Sequence, residues 1–375
     1  MSARVEIIGL PGIPEVRAGD DLAGLLLDAV TTAGAALREG DLLVVSSKVV
    51  SKAAGLEADS DDKAAVVAAQ TVSVVAERAT ADGVTRVVRS VAGPVMAAAG
   101  VDASNTGGRD VLLLLPHDPD AVCRALRSAL QSHSGVHRLG VVLSDTAGRP
   151  WRTGVADFAL GTAGVQALDD LRGRPDADGS LLHVTTRALA DEIAAAADLV
   201  KGKVDRTPAA LLRGLAELTF DPDPDEVHPG DTDDSPTSGG DGGAALVRLA
   251  GPEDWFALGS QEAVRTALGV PPGTPRAERV GIRPVGPDSV TAQVQRAVEV
   301  ALVGLGPDEP DRAELEVGVD VGQADLVVTG PDPLTVGMIG ARLMTALAGE
   351  GVRHTVDFDT TTVRIRLVGA SGEAP

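Results

Sequence analysis

The sequence predicts a chain of two or three domains in which strands and helices alternate, and three observations carry that expectation. At 375 residues the chain exceeds one ordinary domain. Short apolar runs such as Leu42–Val45 and Leu139–Leu143 alternate with Ala- and Leu-rich stretches of helical length. Residues 220–243, FDPDPDEVHPGDTDDSPTSGGDGG, are acidic, rich in Pro and Gly and nearly free of large apolar side chains, the composition of a linker or long loop.

Composition excludes several classes of function. Hydrophobic residues make up 44% of the chain, but aromatics only 2%, with no Tyr, so the cores must be built from Ala, Val and Leu. Single-stranded nucleic-acid binding needs aromatic platforms and basic grooves. This chain has neither, and its 33 Lys and Arg face 54 Asp and Glu, a net charge of -21. That field also disfavours anionic membranes, and any polyanionic ligand needs a local positive pocket or a metal ion. Cys123 is the only cysteine, so no disulfide forms within the chain and an intracellular setting is expected. In a helix predicted from Asp118 to Gln131 it reads as a small buried hydrophobe rather than a nucleophile. No apolar run approaches the roughly 18 residues of a membrane span, and the N-terminus lacks a signal-like stretch. A cytoplasmic protein is expected.

The elements follow in order. Val5–Leu10 reads as a strand ending in a turn at Gly9–Pro14, and Asp20 or Asp21 caps a helix through Ala36. Ile13, Pro14, Glu15 and Val16 present backbone and one carboxylate, suited to the wall of a base pocket and equally to a plain connection. Leu42–Val45 is a buried strand, followed by Ser46, Ser47, Lys48, Val49, Val50, Ser51 and Lys52. Ser47 and Lys52 suit phosphate oxygens, and on a following helix Lys48 and Lys52 share one face. A solvated lysine pair is the alternative. Asp61–Thr80 is expected to be helical and Thr85–Ser90 a strand. Asp102, Ser104 and Asn105 lie in a Gly-bounded loop before a strand at Val111–Leu115, as turn formers or as a second source of carboxylate.

The apolar run Leu139–Leu143 is a strand buried on both faces. Gly148 and Pro150 are expected to break the chain right after it, placing Asp145 and Thr146 in a turn. Two hard oxygen donors there suit magnesium or manganese, and the same residues also serve as caps. Leu181–Thr186 reads as a strand and Ala190–Val200 as a helix ending at Lys201, Gly202 and Lys203, either as a plain C-terminal cap or as a place where two cations meet a nucleotide. His133 and His137, in a predicted loop without a carboxylate partner, do not make a zinc site. No GxxxxGK[ST], no GxGxxG opening a helix, no GxSxG and no HExxH occurs, so the common phosphate-loop, dinucleotide, hydrolase and zinc-protease sites are not supported.

Five ordered motifs, GIPEVRAGDDL, GDLLVVSSKVVSK, AAAGVDASN, VVLSDTAGRPWRTGVADFALG and ADEIAAAADLVKGK, resemble the coenzyme F-420-0:L-glutamate ligase family over residues 5 to about 215. A short echo follows at DWFALGSQEA. The resemblance implies an α+β, two-lobed gamma-glutamyl ligase-like fold, a homodimer, and GTP-dependent amide formation between L-glutamate and the lactyl carboxylate of F-420-0, extended into a gamma-linked tail. Matched residue by residue, it assigns GTP contacts to Ile13, Pro14, Glu15, Val16, Ser47, Lys52 and Asn105. It assigns divalent-metal ligands to Asp102, Asp145 and Thr146, with Mg2+ or Mn2+ as the ion and K+ as a further candidate. Lys201, Gly202 and Lys203 depart from the family pattern after the AADLV helix. The catalytic base is not identifiable.

The expected domains are 1–220 (ligase), 221–244 (acidic disordered linker), 245–263 (ligase-associated segment) and 276–375 (a small α/β sandwich of unknown function). The last is too small for a flavin-binding nitroreductase-type domain, so no FMN is expected. The competing reading is a non-catalytic GTP-binding or assembly protein that kept the ligase fold.

Overall fold

A computed structural model describes residues 4–80, 83–150, 152–220, 259–279, 282, 289–303, 318–321 and 325–368. The expected linker 221–244 and residues 245–258 lie outside them, as does most of Val280–Val285, which the sequence reads as the first strand of the expected α/β sandwich. The chain is mixed α+β and divides into two compact units, Met1–Val72 with Arg89–Asp254, and Ser73–Val88 with Trp255–Pro375. The elements of the N-terminal half are β1 (Glu6–Gly9), α1 (Leu22–Thr32), β2 (Asp41–Ser46), α2 (Ser47–Ala53), β3 (Glu57–Asp59), α3 (Lys63–Ala69), β4 (Thr71–Thr80), β5 (Gly83–Ser90), β6 (Val95–Ala97), β7 (Val111–Leu113), α4 (Pro119–Ser134), β8 (Leu139–Arg149), β9 (Arg152–Ala163), β10 (Leu168–Asp170), β11 (Thr186–Ala188), α5 (Leu189–Lys201) and β12 (Ala209–Arg213). Those after residue 259 are α6 (Ser260–Ala267), α7 (Pro275–Arg279), α8 (Val290–Leu302), β13 (Gly318–Val321), β14 (Asp325–Thr329), α9 (Pro333–Gly349), β15 (His354–Asp359) and β16 (Thr362–Leu367).

The first unit is built on a five-stranded sheet of order β1-β12-β2-β8-β9, in which β2 and β8 run parallel and the other neighbours antiparallel. Alternate residues of a strand point to opposite faces. Leu43 and Val45 of β2, with Val141 and Leu143 of β8, join a core with α1 and α4. Leu42 and Val44, with Val142, join a second core with Ala190, Ile193, Ala194 and Ala197 of α5. Both faces are covered, which is why these strands read as unbroken apolar runs. The helix starts follow local chemistry: Asp21 accepts from the Gly24 amide at 3.1 Å, and Asp118 accepts from Ala121 at 2.8 Å ahead of Pro119. Gly135, in the left-handed region at φ 72°, ends α4. Cys123 is buried in α4, and burial pushes its thiol well above the ordinary range, the behaviour of an inert core residue.

Three expectations are corrected. The helix expected over Asp61–Thr80 stops at Ala69, and residues 71–80 form β4, where the β-branched Thr71, Val72, Val74 and Val75 favour extended backbone. Leu181–Thr186 is not a strand: Leu181 forms only an isolated bridge to Pro175, Leu181 and Val184 are exposed with no face to bury, and β11 begins only at Thr186. His133 lies in the last turn of α4 rather than in a loop.

In the second unit, β13-β14-β16-β15 form an antiparallel sheet. Val294, Ala297 and Val300 of α8 and Ile339, Leu343 and Leu347 of α9 bury one face against Leu326, Val328, Val363 and Ile365. The other face carries the ion pairs Arg366–Asp357 at 2.8 Å and Arg364–Asp325 at 3.7 Å. Glu350 is buried between Arg265 and Arg296, each at 2.8 Å, so its charge is matched on both oxygens. The hairpin strands β4 and β5 contribute to this unit through Arg78, which pairs with the fully buried Glu262 of α6. No described helix is long and apolar enough to cross a membrane.

Candidate active site

Parallel pairing of β2 and β8 brings two chemically loaded stretches together. Ser46 is the register partner of Ser144, so Ser47 and Asp145 follow as neighbours where the β2–β8 pairing ends. β2 passes into α2 there, whereas β8 does not turn. It continues to Arg149, paired with β9 as a two-stranded ribbon, so the expected break after Leu143 is replaced by a bulge between Leu143 and Ser144. Gly148 is accommodated in that exposed ribbon because β9 supplies its hydrogen-bond partners, and a bulge redirects side chains without ending a strand.

Asp145 lines a small recess with Ser47, Lys48, Ser51, Gly100 and Asp102, floored by Leu113–Leu115. Two of the three expected metal ligands therefore meet. Lys48 pairs with Asp102 at 2.6 Å and donates to Ser104 Oγ at 2.5 Å, while the Ser104 amide donates to Asp102 at 2.6 Å. Burial pushes the Asp102 carboxyl up, but Lys48 and Ser104 outweigh it and hold the group below its ordinary value. Asp145 is the opposite case. Among the described residues it has no ion pair. Burial, with Asp157 adding like-charge repulsion, raises its pKa to about 6 against the pull of the Thr146 amide, Lys203 and Lys48. A carboxylate short of positive charge beside a second, ionised one fits a hard divalent ion that completes its shell with water and substrate oxygens. No group of three or more His, Cys, Asp or Glu that would form an all-protein cage occurs among the described residues.

The nucleotide residues divide. Ser47 lines the recess, but Lys52 is buried and its ammonium is taken by Glu15 at 2.5 Å. Lys48 and Lys52, four apart on α2, thus hold two different segments: one binds the 102–105 loop and the other the 13–16 segment. Glu15 also lies over Gly107, where an added Cβ would sit 2.7 Å from its carboxylate oxygen, so the two loops are close. Asn105 adopts φ 57°, a left-handed conformation that Asn tolerates. Ile13 is half-buried and Val16 fully buried against the core. Pro14 and Glu15 are exposed beside them.

Thr146 faces the other way. Its hydroxyl donates to Asp157 at 2.6 Å and accepts from Lys203 at 2.5 Å. Asp157, its cross-strand partner on β9, also accepts from Ser144 at 2.9 Å and from the buried Lys201 at 2.5 Å. Burial pushes the Asp157 carboxyl up, but the Lys201 charge, with these hydrogen bonds, outweighs it and holds the group below its ordinary value. Asp157 carries no signal in the sequence as a site residue, whereas Lys48 and Lys201 stand in stretches that read as possible phosphate contacts. The signal for Lys48 was present, since it stands beside Ser47 at a strand end. Asp157 and Lys201 become partners only through the β8–β9 register and the length of α5.

Residues 12–214 match the family model described as F420-0:gamma-glutamyl ligase. Among named relatives, the coenzyme F420:L-glutamate ligase of Haloarcula marismortui is 37% identical over 257 residues, covering 60% of this chain and 95% of the relative. That of Archaeoglobus fulgidus is 39% identical over 227 residues, 56% of this chain and 88% of the relative. That of Natronomonas pharaonis is 40% identical over 230 residues, 56% of this chain and 86% of the relative.

Proposed function

The chain belongs to the F420-0:gamma-glutamyl ligase family, and we propose from that membership that it joins L-glutamate by an amide bond to the lactyl carboxylate of coenzyme F420-0 and then lengthens a gamma-linked tail. The single observation that carries the reading to particular residues is the recess where Asp102 and Asp145 converge beside Ser47 and Lys48.

The reaction is read as GTP-dependent. A carboxylate resists attack by an amine, so the γ-phosphoryl group of GTP is moved onto it: the bond from phosphorus to GDP breaks and one to the carboxylate oxygen forms. The amino nitrogen of glutamate then attacks the acyl carbon, loses a proton and expels phosphate. Asp102 and Asp145 would hold Mg2+ or Mn2+, which neutralises charge on the transferring group. Ser47 donates toward phosphate oxygens at the recess. Lys48 keeps Asp102 ionised and orders the 102–105 loop, which carries Asn105. Lys52 fixes the 13–16 segment through Glu15, so its part in nucleotide binding is to shape that wall.

The test is incubation of the full chain with F420-0, L-glutamate, GTP and Mn2+ or Mg2+, followed by mass spectrometry. Products heavier by whole glutamyl residues, with GDP released in proportion, support the reading. Bound GTP with no change in the mass of F420-0 would favour the non-catalytic alternative, and turnover without GTP would remove the acyl-phosphate route.

A further inference from the structure

The family-implied place of Thr146 among the metal ligands does not fit the polar cluster around it. Its proton is given to Asp157, its oxygen receives the Lys203 ammonium, and the Lys201 ammonium is buried just behind. Two cations at such range repel a divalent ion. Asp157 and Lys201 neutralise each other, each almost fully buried. Lys203 is exposed and has no carboxylate within ion-pair distance among the described residues. In a chain of net charge -21, a lysine held on a hydroxyl at a strand rim with no carboxylate in ion-pair contact among the described residues is placed to meet an incoming anion.

The strand geometry says which anion. Thr146 lies on the Asp157 face of β8 and Asp145 on the recess face, because neighbouring residues alternate. Both lie past Ser144, where pairing with β2 ends, so the ribbon beyond has one edge that β2 does not cover. Their Cα atoms are about 3.8 Å apart. A polyphosphate laid along that edge reaches both faces, which a single carboxylate does not.

We propose that Lys203 is the chain's own cation at Thr146: its ammonium binds phosphate oxygens of GTP there, and the site holds one divalent ion, on the Asp102–Asp145 side alone. This rests on the ligase reading above. The ammonium suits phosphate as a compact point charge with three donors.

The experiment uses the full chain, as wild type, Lys203→Gln, Lys203→Arg and Asp145→Asn. Each is saturated with a non-hydrolysable GTP analogue and Mn2+, and bound manganese is counted by electron paramagnetic resonance; calorimetry gives affinities for the analogue and for L-glutamate. The expected result is one Mn2+ per wild-type chain, retained in Lys203→Gln and lost in Asp145→Asn. Lys203→Gln should bind the analogue about tenfold more weakly, the loss of one charge-assisted contact, and Lys203→Arg should recover most of that loss. Two Mn2+ per wild-type chain, unchanged analogue affinity in Lys203→Gln, or a loss confined to glutamate would each overturn the proposal while leaving the ligase reading intact. Wild type that binds no analogue at all would overturn both.

Discussion

Ser46 of β2 and Ser144 of β8 are register partners in the parallel pair at the centre of the sheet, and the candidate chemistry begins one residue past each. This single pairing converts two distant stretches of sequence into one site: Ser47, Lys48 and Lys52 follow one strand on α2, and Asp145 and Thr146 continue the other. The flanking antiparallel strands β12 and β9 fix the pair from both sides.

The most direct consequence concerns Asp145. Asp145→Asn keeps an oxygen donor but removes the charge that a metal ion needs. The expected outcome is an unchanged circular dichroism spectrum and a loss of metal-dependent turnover of about 100-fold or more, several kcal/mol of transition-state stabilisation. Near-normal turnover across a Mn2+ titration would remove Asp145 from the site.

Lys52→Ala should weaken GTP binding more than F420-0 binding. The substitution frees Glu15, now without its 2.5 Å partner, and with it the 13–16 segment expected to form the base wall. A loss of about tenfold for GTP corresponds to one partly buried charged contact. Paired calorimetric titrations check it, and a larger loss for F420-0 would move this segment to the acceptor side.

Asp157→Asn probes stability. It leaves the Lys201 ammonium buried without its counter-charge, a cost of about 3–5 kcal/mol for breaking such a pair. The sign with pH follows from the carboxyl being held below its ordinary value of 3.8. The pair's contribution is fully present above that value and is lost as pH falls through the lower folded-state value. Urea midpoints should therefore drop for the variant at neutral pH, and the gap to wild type should close toward acid. Asp157→Asn with Lys201→Met should regain stability, because no buried charge is then left unmatched; a double variant as weak as the single one would argue against this account.

Gly161→Ala tests the packing that sets β9 against α4. A Cβ at Gly161 would lie 2.4 Å from the backbone carbon and oxygen of Pro119, and backbone does not move aside as a flexible side chain does. Overpacking of this kind costs about 1–3 kcal/mol. A urea midpoint equal to wild type would mean that α4 shifts freely on the sheet.

The sequence exposed the centre of this fold better than its edges, for physical reasons. β2 and the first half of β8 are covered on both faces, so their apolar runs are continuous, and α1, α4, α8 and α9 announce themselves through Asp or Ser caps. β9 was not anticipated. Its first half lies in a solvated ribbon, where Arg152, Thr153, Gly154 and Val155 are exposed and carry no burial pattern. The same ribbon hid the path of β8, since Gly148 and Pro150 resemble a break whether the chain turns at once or five residues later. Asp102 and Asp145 were legible as hard donors at loop and strand end. The Asp157–Lys201 pair was not, because neither residue has a partner within its own element.

The last prediction concerns the C-terminal residues. The family match ends at residue 214, and the recess is built wholly from residues 47–145, so a chain ending at Ala263 should retain glutamate ligation, and the full chain should purify without flavin. The compact units add a stability cost to that cut. Ser73–Val88 belongs with the C-terminal residues, and Val74 lies against Gly273, where an added Cβ would come within 2.6 Å of it. Ending at Ala263 keeps the Arg78–Glu262 pair but strips that apolar cover from β4, so the shortened chain should aggregate at lower temperature while it still ligates. Turnover at the wild-type level with a raised aggregation tendency is the expected pair of readings. A shortened chain that is monodisperse and folded yet unable to ligate would assign the C-terminal unit a part in the reaction, and stoichiometric flavin absorbance in the full chain would assign it a cofactor.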